Sequence, residues 1–449
     1  MIGKTKKIVL CTGVRTAIGH LSKSLIHESP EDLMAAVIRE IVKRAKIDPN
    51  VVDGVLVGWV GQGSHAPNIA RIAALKGRLA EKVQAYTIQA NCVSGMEAIS
   101  SAARHIILGE GDLYIAGGTE SMSTFPYAIR GPRSVKALRS TEMLKAEWSH
   151  LWENPEVQIT DTMEEGLVDP VKHLNMAATA EVCAQMFGIT REQQDTYAAE
   201  SFRRCAEGHK NGFYDTHMMP VMKDGKEVLK TDEYIQLRSS LVEKPEMFKK
   251  APVLFDSEAF PLKEFYEKFG EFIIGKKWDP SAKATITLFN ACARSDGAAG
   301  IIVTSEEKAK ELGLEILAEL KSWAFYGVNP AHMGIGPAYA SKAALDRIGL
   351  PFNSIDNIEV HEAFAATTLS IFEVARREWK QDWFAMNEQR RLNPNGGSIP
   401  LGHPLAATGT RIILNLIHAL RANPKGKMGL ATACASGGLG GAMIIEKYS

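Results

Sequence analysis

The chain predicts a layered α/β protein made of two similar halves, and three features of its 449 residues carry that expectation. Apolar runs with the length of buried strands alternate with stretches of helical period. A long segment in the first third resembles one in the last third. Between them the text turns charged and irregular, as an insertion would.

The elements follow in order. "KKIVLCTGVRT" has an apolar run far too short for the core of a secretion signal, so it reads as a first strand. "DLMAAVIREIVKRAKI" has helical period, and "VVDGVLVGWVG" and "VQAYTIQA" follow as strands. "NCVSGMEAIS" then reads as a turn and the start of a helix. The repeat pairs "AAVIREIVKRAKIDPNVVDGVLVGWVG" with "SKAALDRIGLPFNSIDNIEVHEAFA", so that Asp53 corresponds to Asp356. It also pairs "ANCVSGMEAISSAARHIILGEGDLYIAGGTESMS" with "LGHPLAATGTRIILNLIHALRANPKGKMGLATACASGG". Cys92 and His403 then occupy equivalent turns, which packing of the halves would bring to one pseudo-symmetric centre.

Residues 123–280 form the insertion. "TREQQDTYAAESFRRCAEGHKNG" is an amphipathic helix within it, closed by glycine after a lysine. The expected division is therefore residues 1–122 with 281–308 as one half, 123–280 as the inserted segment, and 309–449 as the other half.

Composition narrows the class of function. Lys+Arg and Asp+Glu both count 52, so no net field favours nucleic acid or an anionic membrane. No stretch is long and apolar enough to span a membrane, the glycine-rich "MGLATACASGGLGGAMIIE" included. A cytoplasmic protein with a small-molecule ligand is expected. The six cysteines show no CxxC spacing, so neither zinc nor a thioredoxin-type pair is expected, and free thiols are the default.

Four places could do chemistry. Cys92, after a strand and at a helix start, would have its thiolate favoured by unpaired N–H groups; a small buried cysteine is the bland alternative. His403, on the Gly- and Pro-shaped turn of "GGSIPLGHPLAATGTR", is placed like a base for that thiol, or like a structural histidine. His361-Glu362 ends a strand at the kind of switch where α/β proteins assemble sites, or merely caps a helix. "ATACASGGLGGAM" supplies Cys434 and small residues that let main-chain N–H groups approach a ligand. Its counterpart "IAGGTESMS" reads as packing beneath the site.

Taken in order, "NCVSGMEAI", "AGGTESMS", "SDGAAGIIV", "HEAFA", "GGSIPLGHPLAATGTR" and "CASGGLG" resemble the thiolase family from about residue 7 to the C-terminus. The resemblance implies a five-layered α/β/α/β/α fold of two duplicated halves, with the insertion as a loop domain that binds coenzyme A. It implies Cys92 as the acylated nucleophile, His403 as the base that activates it, and Cys434 as the second cysteine, which moves the proton on the acetyl methyl carbon. His361 stands where most members carry the Asn of a first oxyanion hole; a second hole would use the main-chain N–H groups of Cys92 and Ser436. Met176, Cys292, Met333 and Phe364 are the implied acyl-CoA contacts. The implied reaction is CoA-dependent cleavage of 3-oxoacyl-CoA, or its Claisen reverse, with CoA as substrate and no resident cofactor or metal. A homodimer or tetramer is implied, with a hydratase/dehydrogenase subunit as a partner of some members.

The chain also departs from the family pattern. "HEAFA", "GIGPAYA" and "DWFAMN" resemble the thiolase subunits of fatty-acid β-oxidation complexes. Asn175 stands where short-chain enzymes often carry His, Cys292 where Ser is usual, and Ser436 in place of Gly. The segment near 255–280 matches no family feature. Three rival readings stand beside this one: a 3-oxoacyl synthase of the same fold, which the Cys92, His361 and His403 set imitates; a non-catalytic acyl-CoA-binding subunit; and a cysteine hydrolase. Cys434 discriminates against the synthase and the hydrolase, neither of which needs a second cysteine.

Overall fold

The computed structural model describes residues 6–146, 148, 153–257 and 260–448. Part of the charged stretch of the insertion, residues 147 and 149–152, lies outside the described residues, as do 258 and 259 in the segment near 255–280.

Nine strands form the main path of one large sheet: β1 (Ile8–Thr16), β2 (Gly54–Gly58), β3 (Gln84–Ile88), β4 (Leu113–Ser121), β5 (Ser295–Ser305), β6 (Ala318–Gly327), β7 (Asn357–Val360), β8 (Met428–Ala435) and β9 (Leu439–Lys447). Their order is β7-β8-β9-β6-β1-β5-β4-β2-β3. Read outward from the central β6/β1 pair, the two halves share one arrangement as far as β2 and β7, and the first half adds β3 at its edge. β4 lies parallel to β2 and antiparallel to β5, as β8 lies parallel to β7 and antiparallel to β9. The halves meet where Val9 and Leu10 pair with Glu319 and Ala318.

The repeat is visible in single hydrogen bonds. Asp53 Oδ2 accepts from the amides of Asp112 and Leu113 at 2.8 and 3.0 Å. Asp356 Oδ2 accepts from Lys427 and Met428, both at 2.8 Å. In each half the aspartate ahead of one strand fixes the start of its parallel neighbour.

Alternation along the strands decides which helices they face. Leu56, Ala116 and Ile301 point into a core shared with Ala431 and Met443 of the other half, and there α3 (Ser94–Leu108) and α9 (Leu405–Ala422) pack on each other between the halves. Val55, Ile115 and Ile302 point the opposite way, against α1 (Pro30–Ala45) and α2 (Ile69–Lys76). Helix α9 is buried almost from end to end, its polar Thr408, Arg411 and Asn415 included. Its close approach needs glycine: a Cβ at Gly95 would lie 2.7 Å from Ala406 O, and one at Gly118 only 2.1 Å from it.

The insertion contributes α4 (Met176–Phe187), α5 (Arg191–Lys210) and α6 (Leu262–Phe269). They share a core with α7 (Gly336–Arg347) and α8 (Ala365–Trp379) on the outer face of the second half. Helix α5 is the helix expected from its sequence and begins with a reciprocal Thr190/Gln193 capping box. No described helix is long and apolar enough to cross a membrane.

Candidate active site

The turn carrying Cys92 is built by its neighbours. Ser94 Oγ accepts from the Ala90 amide and donates to Asn91 O, closing a single 3-10 turn over Asn91–Val93 before α3 begins. Asn91 takes a left-handed φ of 51°, which asparagine tolerates better than most residues, and its side chain donates to Ser436 O at 2.9 Å. Asn91 thereby ties "NCVSG" of one half to "CASGG" of the other. Neither stretch announces that link by itself.

His403 is fixed from the opposite side. Its amide donates to Ala293 O at 2.9 Å, and Gly402 before it has φ of 99°, where a Cβ would meet Ser295 Oγ at 2.2 Å. His403 Nε2 stands 3.2 Å from Cys92 Sγ. On the far side of the ring, Nδ1 lies 2.7 Å from Thr408 Oγ1, which also has Pro404 O at 3.3 Å as an acceptor for its proton. With the hydroxyl proton on Pro404 O, the hydroxyl accepts from Nδ1–H, which leaves Nε2 with its lone pair facing the thiol. That is the tautomer a base requires.

The expectation of a depressed thiol at Cys92 is corrected here. Burial pushes it up to about 12, and the main-chain N–H groups of Ser436 and of Cys92 itself pull it down by less. Glu120 nearby adds to the upward shift. Burial and the neighbouring Arg411 guanidinium hold His403 down at about 3. The resting pair is a neutral thiol and a neutral imidazole. The two N–H groups facing the sulfur come from the same residues, Cys92 and Ser436, that were expected to form an oxyanion hole.

A cavity of about 720 Å³ opens over this pair. Cys434, at the end of β8, lines it, and burial together with the neighbouring Cys92 and Cys292 thiols holds its own thiol far above the usual range. Met176, Cys292, Met333 and Phe364 also line it, so every expected acyl-CoA contact falls on one surface. Asn175 caps α4 through Ala178 N and faces the same space. The segment near 255–280 backs that wall. Phe272 O lies 2.6 Å from the Nε2 of His332, next to Met333, and Tyr266 donates to Gln185 of α4 at 2.7 Å.

His361 is placed differently. It is completely buried and does not line the cavity; its ring lies behind that of His403, centroids 4.1 Å apart. Its Nδ1 lies 2.7 Å from Ser398 Oγ, Ser398 accepts from Arg411 Nη2 at 2.6 Å, and its Nε2 has no partner among the described residues. Glu362, whose bland reading was a helix cap, is instead a buried brace. It accepts from Tyr197 and Ser201 of α5, from the Asn393 side chain and from Ile399 N. The insertion is thus clamped to the turn that leads into His403. Glu120 of "AGGTESMS" accepts from Val60, Gly61 and Ala406 amides, holding the first turn of α9 beneath the site. Only tertiary contact reveals these braces, because their partners lie far off in sequence.

Comparison with known proteins agrees with this architecture. Residues 8–255 match the thiolase N-terminal domain and residues 314–447 the thiolase C-terminal domain. An acetyl-CoA acetyltransferase of Cupriavidus necator is 34% identical over 445 residues, covering 98% of this chain and 99% of that protein. The crystal structure of the Bacillus anthracis acetyl-CoA acetyltransferase superposes with a TM-score of 0.82 at 33% identity, covering 99% of each chain. Human mitochondrial 3-ketoacyl-CoA thiolase superposes with 0.81 at 29% identity, over 100% of each chain. The chain is therefore a member of the thiolase family, an acyltransferase built from both of the family's domains.

Proposed function

We propose that the protein cleaves 3-oxoacyl-CoA with CoA to give acetyl-CoA and a shortened acyl-CoA, or runs the reverse Claisen condensation, through an acyl-Cys92 intermediate. The observation that carries this reading is the 3.2 Å approach of His403 Nε2 to Cys92 Sγ, in a cavity that also holds Cys434.

In the cleavage direction the Cys92 proton passes to His403 Nε2 as sulfur attacks the 3-keto carbon. The developing oxyanion is met by main-chain N–H groups. The C2–C3 bond then breaks, leaving the acyl group on Cys92 and an acetyl-CoA enolate. Cys434 gives that carbanion its proton and is reprotonated with the proton that Cys92 passed to His403, which leaves the imidazole neutral again. The thiol of a second CoA then gives its proton to His403 and attacks the acyl-cysteine; acyl-CoA leaves and His403 returns that proton to the Cys92 sulfur, which is ping-pong kinetics. CoA enters as a substrate.

The close His361–His403 ring pair beside Cys92 supports a second reading, a 3-oxoacyl synthase with a Cys-His-His set. Cys434 separates the two, because a decarboxylated malonyl donor already supplies its carbanion and needs no acid at that position. The test is mass spectrometry after exposure to acetyl-CoA or 3-oxoacyl-CoA. An acyl adduct on Cys92 that free CoA removes is expected; no adduct on intact protein sinks the proposal. A malonyl-dependent condensation without thiolysis would transfer the assignment to the synthase.

A further inference from the structure

We infer that Ser398, held by Arg411, is a positioning residue that fixes His361 with its proton on Nε2, the tautomer opposite to that of His403. The inference rests on the acyl-cysteine reading above, and it concerns His361 Nε2, which has no partner among the described residues.

The proton inventory carries the argument. Arg411 is fully buried, and a guanidinium has only donors, so its Nη2–H at 2.6 Å occupies a lone pair of Ser398 Oγ. The serine hydroxyl has one proton of its own to place. Among the described residues the only other group within reach of Oγ is His361 Nδ1, at 2.7 Å. Donating there satisfies both atoms, and the cationic donor on the far side polarises the hydroxyl into a stronger donor. The reverse arrangement, Nδ1–H donating to Oγ, sets two donors on one hydroxyl oxygen and leaves both the hydroxyl proton and the Nε2 lone pair unpaired, whereas the first leaves only Nε2–H without a partner among the described residues.

With Nδ1 accepting, a neutral His361 must carry its proton on Nε2. The ring is neutral, because burial and the adjacent His403 and Arg411 hold it well below the usual imidazole range. The ring pair is therefore asymmetric. His403, facing a hydroxyl that has Pro404 O as another acceptor, presents a lone pair to Cys92; His361, facing a hydroxyl with no other acceptor among the described residues, presents an N–H. One ring presents a lone pair to the thiol, while the ring behind it carries its proton on Nε2. The base and the donor are distinguished by what lies behind each ring.

The test is nitrogen-15 NMR of histidine-labelled protein, with His361→Asn identifying the His361 signals, alongside thiolysis kinetics. In the wild-type protein the His361 ring is expected as the Nε2–H form. In Ser398→Ala the preference is lost and kcat falls about tenfold to a hundredfold, with KM for CoA within about twofold of wild type. Ser398→Thr, which keeps the hydroxyl, restores both. An Nδ1–H form in the wild-type protein overturns the inference, as does a Ser398→Ala variant with unchanged tautomer. Because the tautomer is read without turnover, failure here is distinct from failure of the thiolase reading, which the acyl-Cys92 adduct decides.

Discussion

Cys92 Sγ and His403 Nε2 come within 3.2 Å of each other from turns 311 positions apart in the chain, one in each half of the repeat. Neither half holds a nucleophile with its base. If the pair forms the acyl-cysteine and Cys434 serves the carbanion, the two thiols separate by substitution. Cys92→Ser should abolish thiolysis and leave no adduct. Cys434→Ala should still take acetyl from acetyl-CoA onto Cys92 while C–C cleavage falls by about 10²–10⁴-fold, the usual worth of a positioned acid or base. Adduct formation by mass spectrometry and thiolysis by absorbance give the two readouts. Loss of adduct in Cys434→Ala would assign that residue to the acyl-transfer step.

The neutral state of the pair makes a prediction about pH. With the thiol pushed up to about 12 and the imidazole held at about 3, the thiolate fraction rises about tenfold per pH unit from pH 5 to 9. The rate of Cys92 alkylation by iodoacetamide should climb through that range without levelling. A plateau beginning near pH 5 would reveal a thiolate–imidazolium pair and overturn the neutral assignment.

Much of this site can be read in the sequence, because a repeat constrains position. Two matching turns in two matching halves must meet near the pseudo-symmetry centre, so Cys92 and His403 are paired by arithmetic on the chain. The ionisation of Cys92 is not legible in this way. A helix-start cysteine has N–H groups to favour its thiolate, but the depth of burial that opposes them depends on the α3/α9 packing. The braces escape for a similar reason. Ser398 meets His361 and Arg411 from 37 and 13 positions away, and Glu362 meets α5 across 161. Local pattern holds no trace of such contacts.

Glu359 gives a stability prediction. It is buried two residues before His361, and burial pushes its carboxyl up to about 8 despite the Arg411 guanidinium and the Asn415 side chain nearby. Between its ordinary 4.5 and about 8, the folded state holds a proton that the unfolded state has released. Stability therefore falls as pH rises through that window, by up to about 1.4 kcal/mol per unit from this group. Glu359→Gln, a neutral mimic, should flatten the decline of the urea midpoint between pH 5 and 8. An unchanged slope would place the titration elsewhere.

The paired aspartates predict how far the duplication extends into energetics. Asp53 and Asp356 each use one carboxylate oxygen to hold two successive amides at the start of the neighbouring strand. Replacing either with Ala removes an ionised acceptor and leaves two N–H groups without it, so each should lower stability by about 1–3 kcal/mol. Asp356 is the less exposed of the two, and water compensates its partners less, so Asp356→Ala should cost more than Asp53→Ala. Asparagine keeps one acceptor oxygen and should lose less than Ala at both positions. Urea denaturation of the four variants measures the series. Equal midpoints for Asp356→Ala and wild type would mean that the strand start is held by sheet pairing alone, leaving the matching bonds as a relic of the repeat without present energetic weight.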